Sequence, residues 1–147
     1  VRRAGRGFPR VGPRTVARAQ GLFNVVGGAW PLVSLRTFGR VYGPVADGWL
    51  QKTSGALLLS AGWTMLRAAS GTAGEDGVRH ARRTGIGTAL AFLAVDLVYV
   101  PKGRIRATYL VDAAMEAAWL AAWWRAGTPR RGPTGRAARR RPGRRRG

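Results

Sequence analysis

The stretch Ala89–Trp124, ALAFLAVDLVYVPKGRIRATYLVDAAMEAAWLAAWW, holds two apolar runs separated by a short basic turn, and it carries three acids, Asp96, Asp112 and Glu116. Pro101 stops the first run, because proline has no N–H to donate inside a helix and clashes with the preceding turn. The segment from Pro101 to Arg106 is too short for anything but a reversal of direction, so the pattern predicts an antiparallel helical hairpin. Asp112 and Glu116 lie one helical turn apart and share a face. Asp96, five residues before Pro101, reaches a depth similar to that of Asp112.

Two more apolar blocks precede this hairpin. Val16–Leu35 is about the length that crosses a bilayer core as a helix. Gln20 and Asn24 share a stripe there with Gly27, Gly28 and Pro31. Small and polar residues on one stripe are what close helix packing uses, and Pro31 predicts a kink. The segment Arg36–Ala46 reads as a short loop with a Gly-Pro turn signal, and Asp47 as a helix N-cap. Gly48–Ala69 forms the second block, with Trp49 and Trp63 toward its ends and Lys52 one turn inside. Ser70–Thr84 is polar and basic and reads as a loop. Thr84 or the Glu75–Asp76 pair could start the next helix. Gly85 with Ala89, and Gly87 with Ala91, give small residues at four-residue spacing.

These readings predict an all-α fold, an antiparallel four-helix transmembrane bundle. The expected helices cover about 16–35, 48–69, 84–100 and 105–124, between disordered basic tails at 1–15 and 126–147. Tails rich in Arg, Gly and Pro cannot bury enough apolar surface to offset the entropy of ordering. The first run reads as a retained span and not a cleaved leader, since Trp30-Pro31 and Arg36 stand where small residues would mark a cleavage site.

Charge points the same way. The 147 residues carry 26 Lys and Arg against six acids, a net charge of +20, beside 46% hydrophobic residues. With four spans, twenty of the basic residues share one side and six the other. The positive-inside rule then places the chain in the cytoplasmic membrane as a multi-pass protein with both termini cytoplasmic. The Arg, Ala and Gly bias suits a bacterial genome. The Arg-rich tails would attract anionic lipid headgroups of the bilayer. Specific nucleic-acid binding is not expected, because no base-reading or stacking element accompanies them.

The absence of cysteine removes disulfides and thiolate metal sites, and the single His80 reads as a solvated loop residue, so no metal and no cofactor are expected. No nucleophile–base arrangement, phosphate loop or HExxH motif is present. The acids remain. A central charge costs a spanning helix about 2.5–3.5 kcal/mol, so Asp112 and Glu116 should face other helices, with Asp96, Asn24 and Lys52 as their candidate partners. Those five residues form the candidate ligand-binding set. One reading makes the cluster structural, in a non-enzymatic module that packs with itself or a partner. The alternative makes it an intramembrane small-molecule, lipid-binding or isomerase-type site, since buried carboxylates mark functional sites by default.

The fragments GLFNVVGGAWPL (Gly21–Leu32), VDLVYVPKGRI (Val95–Ile105) and YLVDAAMEAAW (Tyr109–Trp119) resemble a family of small bacterial membrane proteins with four spans and no known activity. The resemblance covers most of the region between residues 18 and 125. By span number and embedded acids the chain is also similar, in topology alone, to DoxX-like proteins and to the sterol-isomerase and sigma-2-receptor group. Neither resemblance implies a particular ligand or catalytic residue.

Overall fold

The computed structural model describes residues 11–44 and 47–127, and these form five α-helices with no strand among them. They are α1 (Pro13–Val33), α2 (Leu35–Tyr42), α3 (Gly48–Ala68), α4 (Gly74–Tyr99) and α5 (Tyr109–Ala126), with a short 3-10 turn at Gly71–Ala73 before α4. Most of the expected basic tails lies outside the described residues. Their inner ends are helical, because Pro13 opens α1 at a position where its missing N–H costs nothing.

Four helices run up, down, up, down. Would-be side chains at Gly21 and Gly28 of α1 meet Leu66 and Leu59 of α3, so the two helices run in opposite directions. Gln20 and Phe23 of α1 meet Trp123 and Trp119 of α5 in the same reversed order. The crossing of α1 with α3 is close because glycine faces glycine. A Cβ on Gly62 would lie 2.6 Å from the Gly21 carbonyl oxygen and 2.7 Å from the Val25 nitrogen. Of the stripe foreseen on α1, Gln20, Asn24, Gly28 and Pro31 are buried and Gly27 is half-buried, and Gly21 joins them on the inward face. The helix continues through Pro31, whose ring packs against Gly55.

The buried positions of α4, namely Val78, Ala81, Gly85, Ala89 and Asp96, recur at steps of three, four and seven, as one face of a helix demands. Gly85 and Ala89 are thus packing residues, whereas Gly87 faces open space. Val16, Ala17, Met65, Ala69, Ala81 and Trp123 close one end of the bundle. At that end the guanidiniums of Arg14 and Arg18 donate to Ser70 O (2.8 Å) and Ala69 O (3.2 Å), satisfying carbonyls at the exit of α3.

Two segments read as loops are helical. Ser34 caps α2 by accepting from Thr37 N at 3.3 Å, and Trp30, Phe38 and Tyr42 pack together, which gives an eight-residue helix an apolar face. In α4 the helix starts at Gly74, beside the Glu75–Asp76 pair that was one of the two expected starts and ten residues before Thr84, the other. Glu75 and Asp76 place negative charge on its first turn. The backbone carbonyl of Asp76 holds His80 Nδ1 at 2.8 Å, so the histidine is an exposed helical residue.

The transmembrane reading is corrected by these helices. No helix among the described residues is long and apolar enough to cross a membrane. Arg14, Arg18, Gln20 and Asn24 interrupt α1; glycine, serine, threonine, Gln51 and Lys52 dilute α3; α4 spends its first ten residues on GEDGVRHARR; and α5 is alanine-rich with two acids. Apolar clusters in the sequence suggested spans because their length was weighed above the polar residues within them, and in α4 because polar helical turns were read as a loop. The placement in the cytoplasmic membrane, the multi-pass topology and the assignment of both termini to the cytoplasm rested on those spans and fall with them.

Candidate functional site

The end of the bundle opposite the Trp123 cluster is not filled. A cavity of about 250 Å³ opens between α1, α2, α3, α4 and α5. Six aromatic side chains wall it, Phe23 and Trp30 from α1, Phe38 and Tyr42 from α2, Phe92 from α4 and Tyr109 from α5. Gln51, Ser54, Gly55 and Leu58 of α3 add a short polar edge. Asp112 and Glu116 of α5 are its only charged wall residues among the described residues.

Local sequence explains the aromatic wall. Phe38 and Tyr42 are one turn apart on α2, and their rings stack with centroids 4.7 Å apart. Trp30 meets both, edge-on to Phe38 at 5.8 Å, while its indole N–H donates to Thr37 Oγ1 at 2.9 Å. Tyr42 then reaches across to Tyr109, with centroids 4.8 Å apart. The loop reading of Arg36–Ala46 concealed two wall residues. The signals were present: a Ser34 cap followed by Phe38 and Tyr42 at helical spacing.

The three acids behave as a group. Glu116 is 3% exposed and Asp96 2% exposed, and Glu116 Oε2 and Asp96 Oδ2 are buried with no hydrogen-bond partner. Burial, with the Asp112 and Asp96 carboxylates nearby, pushes the Glu116 carboxyl up to about 7. Burial and the Asp112 charge push Asp96 up to about 6, and burial alone raises Asp112. The same charges act on the phenols. Tyr109 is pushed up to about 12, first by burial and then by Tyr42, Asp96 and Asp112, and Tyr42 is raised by burial and the two aspartates. Asp96 stands behind the wall and does not line the cavity.

The other two candidates lie elsewhere. Asn24 is buried between α1 and α3, where its amide donates to Met65 Sδ at 3.8 Å; it packs helices and does not line the cavity. Lys52 is exposed on α3. Its neighbours Gln51, Gly55 and Leu58 occupy the inward face, which leaves Lys52 to one side of the cavity. Among the described residues the ion pairs are Arg14–Glu75 at 3.9 Å and Arg79–Asp76, and none reaches Asp96, Asp112 or Glu116. No group of three or more His, Asp or Glu side chains among the described residues could hold a metal ion. The cavity therefore presents anionic, hydrogen-bond-accepting groups at the base of an aromatic enclosure, uncompensated by any cation of the chain's described part. Comparison with family models, curated proteins and solved structures gives no match.

Proposed function

We propose that this helical bundle is a small-molecule-binding module whose cavity takes an organic amine, with the ammonium against Asp112 and Glu116 and the apolar body among the aromatic rings. One observation carries the reading: two carboxyls, one with a buried unpartnered oxygen, face an aromatic cavity into which the described residues place no cation. Ring faces attract cations by about 0.5–2 kcal/mol each, and an ammonium would satisfy the carboxylate oxygens that burial leaves without donors. The volume is that of roughly eight waters at about 30 Å³ each, which suits a short alkyl or single-ring amine.

Equilibrium dialysis against n-hexylamine, 1-hexanol and hexanoate at pH 7.5 tests the preference. The amine is expected to bind most tightly and hexanoate not at all. Equal binding of amine and carboxylate would remove the acids from the account, and no binding of any of the three would remove the site.

A second, compatible reading is self-association of the module. Trp49 (70% exposed), Leu57 (68%) and Trp63 (58%) stand on the outer side of α3. Trp49, Ala56 and Trp63 repeat at seven residues, as do Leu50 and Leu57, a spacing that keeps an apolar seam along one side of a helix. A second copy presenting the same seam would cover it through a two-fold contact. Sedimentation velocity on the full chain, expected to give a dimer that Trp49→Glu with Trp63→Glu converts to a monomer, tests this assembly.

A further inference from the structure

On the outer side of the cavity lies a second depression, lined by Gly43, Pro44, Gly103, Arg104 and Arg106. Tyr42, Tyr109 and Gln51 line both spaces, which therefore adjoin along a shared rim of side chains. The two sides carry opposite charge. Inside are Asp112 and Glu116; outside are two arginines, neither of which is ion-paired among the described residues.

Arg106 is seated by the backbone around it. Gly43 has φ +105, a conformation that side-chain-bearing residues rarely adopt, and a Cβ there would lie 2.8 Å from Arg106 Cδ and 2.9 Å from Nε. The glycine thus leaves the space that the arginine stem fills. It also turns the chain out of α2 directly beside Tyr42. Gly103, with φ +64, makes the matching turn on the α4–α5 side. Two tight turns therefore bring Arg104 and Arg106 to one depression beside Tyr42 and Tyr109, where five N–H donors on each guanidinium suit a carboxylate or phosphate.

Resting on the amine-binding reading, we infer that the ligand is bifunctional: its ammonium end lies against Asp112 and Glu116, and an anionic group at its other end is held by Arg104 and Arg106 beyond Tyr42 and Tyr109. A zwitterion of this shape meets a charge complement at each end and rings along its body.

Isothermal titration calorimetry at pH 7.5 with 6-aminohexanoate, 8-aminooctanoate, n-hexylamine and n-octylamine tests the assignment. At least one of the amino acids is expected to bind ten-fold or more tightly than the amine of equal chain length. Arg104→Gln with Arg106→Gln should abolish that difference and leave amine affinity within two-fold of the parent. Amines that bind as tightly as both amino acids overturn the inference and leave the amine site standing. Absence of binding by all four probes overturns the amine site itself. Should the double variant unfold, Gly43→Ala, read by the same ratio of amino acid to amine affinity, replaces it: it must lower the ratio, and an unchanged ratio in this folded variant counts against the role of Arg106.

Discussion

Trp123 of α5 donates its indole N–H to Gln20 Oε1 of α1 at 2.7 Å, while the Gln20 amide donates to the Gly85 carbonyl of α4 at 2.8 Å. Three helices are joined through one buried amide, which leaves neither side of Gln20 to water. Gln20→Leu keeps the volume but strands the indole N–H, while the Gly85 carbonyl still accepts from Thr88 Oγ1 at 3.1 Å. The expected loss is about 1–3 kcal/mol, the cost of one buried group left unpaired. Urea unfolding of Gln20→Leu, Trp123→Phe and the double variant checks it, and the double variant should lose less than the sum of the singles.

The glycine crossing of α1 and α3 makes a paired prediction. Gly62→Ala drives a methyl into the Gly21 carbonyl and the Val25 amide, both backbone, and should destabilise by about 1–3 kcal/mol or more. Gly87→Ala meets nothing within 4 Å and should stabilise by roughly 0.5–1 kcal/mol through helix propensity. Thermal unfolding of both variants under one buffer separates the two signs.

The carboxyls set a pH dependence. Asp96 and Glu116, held at about 6 and about 7 in the folded chain, return to ordinary values near 4 on unfolding. The folded state therefore holds protons more tightly, and the stability from these groups is complete below about pH 4. It is lost as pH rises to about 7, by roughly 3 kcal/mol for each group at about 1.4 kcal/mol per unit. Tm measured from pH 4 to pH 8 should fall, and Asp96→Asn with Glu116→Gln should flatten that slope and raise Tm at pH 8.

How much of this the sequence disclosed follows from the kind of signal each residue carries. Asp112 and Glu116, four apart on an apolar run, had to share a face, and they share the cavity wall. The inward stripe of Gln20, Asn24, Gly28 and Pro31 was equally readable, because helical spacing is a local property. Lys52 was assigned by depth alone; one step along a helix from Gln51 turns a side chain off the inward face, and depth does not record rotation. Phe38 and Tyr42 were hidden because Gly39, Gly43 and Pro44 punctuate their segment as a turn would. The membrane reading failed for a different reason: apolar content was visible, but the polar residues within α1 and α3, the charged first turns of α4 and the two acids of α5 keep each helix short of the apolarity a span requires.

Lys52→Ala therefore provides a control. It should leave n-hexylamine affinity within two-fold of the parent, since the ammonium of Lys52 is exposed on α3 and outside the cavity wall. Equilibrium dialysis at pH 7.5 measures it.

The most direct measurement is calorimetric titration of n-hexylamine at pH 6.5, in phosphate and in imidazole buffer, on the parent chain and on Asp112→Asn with Glu116→Gln. An ammonium seated against the carboxyls must ionise them, so binding to the parent should release protons and its heat should differ between the buffers. The double variant, folded by circular dichroism, should bind at least ten-fold more weakly and without buffer dependence. Equal affinity and equal heats for the two proteins would contradict a carboxyl-based amine site.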